Sequence, residues 1–235
     1  MKLSKISIKR LILIIAVVVL VVSGVAWKFN LFKTKQVVVS NGEVFLTYTD
    51  RGLNSDDRTK LEQKISDLEN SLTNDPELAK DLFQWLTLGN LKYQLGDLAG
   101  AKETYETKIL ADYPADAAAL ENLGQTLYEM QDYEGAELRW RAAISVNPWE
   151  VTYLKLVNLI AEKFPNRQQE IQGILEEAIA NLGQSAGLLI RLGDWYADNG
   201  QYDRALSHYQ VAKQLAPEDS SINEKITEVK ELMKK

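Results

Sequence analysis

From Asn54 to the C-terminus, apolar side chains recur every three to four residues with polar ones between them. That period lines them up along one stripe of an α-helix. In TKLEQKISDLENSL the stripe is Leu61, Ile65, Leu68 and Leu72, which predicts a helix from Asp56 to about Leu72 with Ser55 as its N-cap. Asp75-Pro76 is expected to open the next helix, because proline fits the first helical position. Nearer the N-terminus the pattern changes. KQVVVSNGEVFLTYT, Lys35 to Thr49, sets Asn41-Gly42 between two β-branched or aromatic runs, the pattern of a β-hairpin. Both faces of each strand carry apolar groups: Val37, Val38 and Val39, then Val44, Phe45 and Leu46. A two-stranded hairpin is marginal alone in water. This one is expected to dock on the body, or to pair with a partner strand through its open edges, and otherwise serves as a spacer.

The N-terminal segment, up to Lys35, shows no alternation. Leu11 to Trp27 carries no charge, and its length is at the lower limit for a membrane-spanning helix. Lys2, Lys5, Lys9 and Arg10 precede it, Lys28, Lys33 and Lys35 follow, and Trp27 sits where an interfacial aromatic belongs. Two readings compete. One is an uncleaved signal anchor. The other is a signal peptide cut after Ala26, since Gly24-Val25-Ala26 has the small-x-small form. Hydrophobicity that continues to Trp27 favours the anchor. The charge bias places the N-terminus in the cytoplasm and the body outside it, in a periplasm or at the cell surface.

Beyond Leu82 the helical pattern repeats. Leu120, Leu123, Gly124 and Leu127 are followed by Tyr133, Ala136, Trp140, Ala143 and Pro148. The same order returns as Leu189, Leu192, Gly193 and Tyr196, then Tyr202, Ala205, Tyr209, Ala212 and Pro217. An upstream copy has Trp85, Leu88 and Gly89, then Ala101, Tyr105 and, one residue late, Pro114. A weaker copy lies between, with Leu154, Val157, Ala161, Ile171, Leu175 and Ala178, Asn158 in place of the glycine, and an extra residue near Pro165-Asn166. Each copy reads as two short amphipathic helices broken by a turn. Helices that short need packing to persist, so stacked copies must share one core. In this reading Gly124 faces Ala136 and lets the helices approach, Trp140 fills the remaining groove, and Pro148 ends the second helix.

These motifs resemble the tetratricopeptide repeat over about residues 82–217. The resemblance implies an all-α solenoid of about four helical hairpins plus flanking helices. The expected organisation is a basic tail (1–10), a transmembrane signal anchor (11–27), a juxtamembrane linker with the hairpin (28–54), a flanking helix and the start of the first repeat helix (55–81), four repeats (82–217) and a capping helix (218–235). It also implies a concave groove lined by the first helix of each unit. The positions so implied are Phe83, Leu86, Asn90, Tyr93 and Gln94; Glu121, Gln125, Tyr128 and Glu129; Lys155, Leu159, Glu162 and Lys163; and Ile190, Asp194 and Asp198. Packing is expected to leave these free for a protein or peptide ligand. A clamp for a terminal carboxylate, known from this family, is not implied. Asn90 and Asn122 match its asparagines, but its basic positions hold Leu86, Thr152 and Leu156.

Composition narrows the chemistry. The chain has no cysteine and one histidine, His208, so thiolate and multi-histidine metal sites are excluded. Seven of the 27 Lys/Arg and none of the 33 Asp/Glu fall in residues 1–35, leaving a body of 20 basic and 33 acidic groups. So acidic a body does not suit nucleic acid. His208 has no nucleophile to form a triad, and Glu121, Glu129, Glu176 and Glu177 read as helix-surface carboxylates. No cofactor or catalytic residue is expected. The function expected is a membrane-tethered protein–protein interaction scaffold that helps assemble an envelope complex. The alternative is a secreted or surface structural protein, released by cleavage and self-associating through the hairpin.

Overall fold

The computed structural model describes residues 37–40 and 43–234. The candidate span 11–27 and the turn residues Asn41-Gly42 lie outside them. Among the described residues no helix is long and apolar enough to cross a membrane. Strands β1 (Val37–Ser40) and β2 (Glu43–Leu46) pair antiparallel, Val37 opposite Leu46 and Ser40 opposite Glu43. Among the described residues ten α-helices follow: α1 (Ser55–Asn74), α2 (Leu82–Leu95), α3 (Leu98–Thr104), α4 (Ala117–Met130), α5 (Tyr133–Val146), α6 (Glu150–Lys163), α7 (Glu170–Leu182), α8 (Ala186–Asp198), α9 (Tyr202–Leu215) and α10 (Ser220–Leu232). The pairs α2–α3, α4–α5, α6–α7 and α8–α9 are four successive hairpins, stacked as a solenoid between α1 and α10.

Short polar side chains set most of the helix starts. Asp97, Asp116, Asp132 and Asp219 each accept a backbone N–H of the first turn. Two expected starts are corrected in the same terms. The cap of α1 is Asn54, whose side chain accepts from Asp57 N at 2.8 Å, and Ser55 is already helical. Asp75-Pro76 does not open α2. The Asp75 carboxylate accepts from Glu77 N and Leu78 N and turns the chain into a short 3₁₀ segment, Leu78–Lys80. Asp81 then caps α2 through Phe83 N.

A glycine–aromatic lock holds three of the hairpins. A carbon added at Gly124 would lie 2.5 Å from Trp140 Cδ1, and one at Gly193 would lie 2.5 Å from Tyr209 Cε1. Gly89 meets Tyr105 in the same way. Glycine and ring are separated by the same interval in each hairpin. The expected facing of Gly124 and Ala136 is thereby corrected: the glycine admits the ring itself. The polar tip of each ring is satisfied on the first helix. Tyr105 Oη donates to Asn90 Oδ1 (2.7 Å), Tyr209 Oη to Asp194 Oδ1 (2.7 Å) and Trp140 Nε1 to the Glu121 carbonyl (3.2 Å).

The late proline of the first repeat has a structural cause. After Thr104 the helix widens into a π turn, Tyr105–Leu110, which takes up one additional residue within the helix. Tyr105 and Ile109 both remain buried.

The third hairpin lacks the lock. Asn158 stands at the glycine position, exposed, and, after the extra residue, Leu175 stands in place of the aromatic. Its helices are joined by the 3₁₀ turn Pro165–Arg167. Arg167 makes two bonds to Glu137 (2.6 and 2.7 Å) and two to Glu170 (2.7 and 3.0 Å), while Arg141 reaches Glu137 (2.7 Å) and Glu170 (2.9 Å). This network ties the turn to α5. The Arg167 guanidinium holds both carboxyls below their ordinary range. The core is nonetheless continuous: Leu159 of α6 packs into the cluster of the first two repeats, and Ile144 of α5 into that of the last two.

Candidate binding groove

The first helices α2, α4, α6 and α8 present the residues expected in the groove, and the structure corrects the expectation that packing leaves them free. Asn90 and Asp194 are needed by the core, as acceptors for Tyr105 and Tyr209. Leu159 is buried in the core. Others form a ladder, each rung joining one first helix to the next. Asn122 Nδ2 donates to Asn90 Oδ1 (2.9 Å), and Tyr93 Oη to Glu129. Lys155 Nζ meets Glu121 (2.7 Å), and Tyr128 Oη donates to Glu162 (3.0 Å). Arg191 Nε donates to Asn158 Oδ1 (3.2 Å), and Lys225 of α10 meets Asp194 (2.7 Å). Partners lie 31 to 36 residues apart, one repeat length. Complementary pairs at that offset were readable in the sequence. Phe83, 67% exposed, and exposed Asp198 are not drawn into the ladder, and Gln125 and Leu86 are half-buried beside it.

The rungs shape the electrostatics. Tyr93 is pushed up to about 12, first by burial and then by the Glu129 carboxylate it donates to. Tyr128 is raised by burial and by Glu162. Both stay neutral donors at physiological pH.

The upper end of the face, over the first two repeats, is covered by the chain itself. Phe45 and Leu46 of β2 pack against the same apolar cluster as Leu86, Tyr93 and Tyr128. The strand then runs on beside the turn between α2 and α3: Ala99 N donates to the Thr47 carbonyl (3.0 Å) and Thr49 N to the Gly96 carbonyl (2.9 Å). Gly96 has φ +93, and any Cβ there would collide with the Thr49 carbonyl. Arg51 closes the contact. Its Nε and Nη2 donate to the Tyr93 carbonyl (3.2 and 3.1 Å), its Nη1 lies 2.8 Å from Glu129, and its guanidinium stands 4.4 Å from the Tyr93 ring centroid. Sequence reasoning missed Arg51. It belongs to no periodic stripe, and its partners lie in α2 and α4, far along the chain. His208 stacks on Tyr196, ring centroids 5.2 Å apart, and burial lowers its pKa. That is a packing role. Among the described residues no group of three or more His, Asp or Glu is placed to hold a metal ion.

Two family models, each described as the tetratricopeptide repeat, match residues 86–148 and 186–219. The chain therefore carries tetratricopeptide repeats. The hairpin without the glycine–aromatic lock falls in the gap between the two matches. A search of curated proteins finds no match. Among solved structures, that of MamA is 19% identical and covers 74% of this chain and 99% of its own, with a TM-score of 0.57. PilF of Pseudomonas aeruginosa is 19% identical over 76% of this chain and 79% of its own, also at 0.57. YrrB, described as a repeat protein of this type with an unusual peptide-binding site, is 16% identical over 69% and 81%, at 0.52. At these identities the likeness is one of fold.

Proposed function

We propose that this chain is a non-enzymatic protein–protein interaction scaffold, tethered to a membrane by residues 11–27, that captures an extended protein segment on the concave face of its repeats during assembly of an envelope complex. The N-terminus lies in the cytoplasm and the repeats outside it. The observation that carries the binding role is that this face already holds an extended segment, residues 45–51, through apolar, backbone and charged contacts together. The tether is supported by the uncharged run Leu11–Trp27 between basic flanks. Photo-crosslinkers placed at Phe83 and Gln125 in cells should yield a discrete adduct in the membrane fraction, reduced several-fold by Tyr128→Ala. Adduct yield unchanged by Tyr128→Ala would remove the concave face from the proposal. The Gly24-Val25-Ala26 sequence supports the second reading, a cleaved and released protein. The mass of the mature chain separates the two, since cleavage leaves Trp27 at the N-terminus.

A further inference from the structure

The segment on the concave face defines the chemistry of what that face accepts. We propose that the first two repeats form an arginine-reading site for extended peptides, that residues 44–53 fill it in cis, and that a partner segment with an apolar pair followed by an arginine binds by displacing them. This deepens the scaffold reading above by naming its ligand class.

Three unlike groups converge on the Arg51 guanidinium. The Glu129 carboxylate supplies charge, with one oxygen held by the Tyr93 hydroxyl and the other 2.8 Å from Arg51 Nη1. The Tyr93 carbonyl accepts two N–H groups. It belongs to the last turn of α2, the negative end of the helix dipole. The Tyr93 ring supplies a π-face at 4.4 Å. A planar fork with five donors satisfies all three at once, and an ammonium group does not. The two side chains keep only 25% and 22% of their exposure, so water is partly excluded from the pair. Before the arginine, the contacts through Thr47 and Thr49 use backbone atoms alone, as in strand addition, and are indifferent to sequence. The strongest side-chain contacts are those of Phe45-Leu46 and Arg51, with the Tyr48 ring and Asp50 facing Arg58 at longer range.

Outside this site the segment is lightly held. β1 and β2 form a two-stranded ribbon, and Val37 ahead of the site is exposed. Gly52 follows Arg51 at φ +66 with open space where a side chain would stand, a joint before the cap of α1. A segment tethered this closely competes at an effective concentration of about millimolar. A separate peptide must outcompete it, and weakening the cis segment should open the site.

The test uses the full-length chain and a fluorescent peptide, VFLTYTDRGL, titrated by anisotropy. Arg51→Ala removes the cis arginine and leaves the site intact. It should bind the peptide at least about tenfold more tightly than the wild-type chain. On that variant, a peptide with lysine for arginine should bind about tenfold more weakly. Adding Glu129→Gln should weaken the arginine peptide similarly. Circular dichroism confirms folding, and Arg51→Lys serves as the opened chain if Arg51→Ala does not fold. Equal peptide affinity for the wild-type and opened chains would overturn the proposal, as would lysine and arginine peptides binding alike. A wild-type chain that dimerises by exchanging this segment would overturn a separate partner as the occupant. Crosslinked capture at Phe83 without peptide displacement would leave the scaffold reading standing and sink this one.

Discussion

The second and third hairpins are neighbours of closely similar helix length, yet the second closes on an aromatic ring and the third closes on aliphatic side chains with a charge network at its loop. In the second, Gly124 admits the Trp140 ring, and the contact is close packing of buried apolar surface. In the third, an exposed asparagine replaces the glycine, and Arg167 and Arg141 bind Glu137 and Glu170 across the loop. The repeat pattern is one way to join two helices at a fixed distance. Where it lapses, buried aliphatic side chains of α6 and α7 join the pair, and a charge network fixes the loop between them to α5.

The contrast can be broken from the packing side first. Trp140→Ala should cost about 3–5 kcal/mol, read as a fall in melting temperature, because it empties a fully buried aromatic site. Gly124→Leu should cost about 1–3 kcal/mol by overpacking against the same ring. Leucine at Asn158, the equivalent position in the third hairpin, should melt close to wild type, since that position is exposed. Equal losses at the two positions would show that the third hairpin uses the same lock after all. On the electrostatic side, Arg167→Ala leaves the largely buried Glu137 to Arg141 alone and, by removing charged hydrogen bonds, should cost about 1–3 kcal/mol. Faster hydrogen exchange should be confined to α6 and α7. The smallest effect is acidic. Glu137 and Glu170 have folded pKa values depressed below the ordinary 4.5, so their contribution is whole at neutral pH and is lost as pH falls through the folded values, below 4.5. Wild type should therefore lose stability over that acid range more steeply than Arg167→Ala, in melts taken at successive pH values.

Much of the architecture was legible because it is periodic. The glycine-to-aromatic distance, the turn signals and the capping helix follow from local sequence and a regular repeat interval. The weak third copy was legible too, as a missing glycine and an extra residue near Pro165-Asn166. What holds that loop was not, because Glu137 and Arg167 are 30 residues apart and belong to no repeat position. Within the groove, Asn90 and Asp194 looked free because the repeat pattern assigns the core only its apolar members. Their role shows once the Tyr105 and Tyr209 hydroxyls need acceptors. Arg51 was the least legible of all. A single charged residue in a linker carries no period, and only the fold brings it to Tyr93 and Glu129.

The π turn at Tyr105–Leu110 has a consequence for the chain as a ruler. One residue inserted in a regular helix rotates everything beyond it by about 100°, a little over a quarter of a turn. Here the widened turn swallows that rotation, so Ile109 faces inward again and Asp116 starts α4 in phase with the copies downstream. Residue count and angular position are thus uncoupled at this one point. The chain carries one residue more there while every later hairpin keeps its bearing.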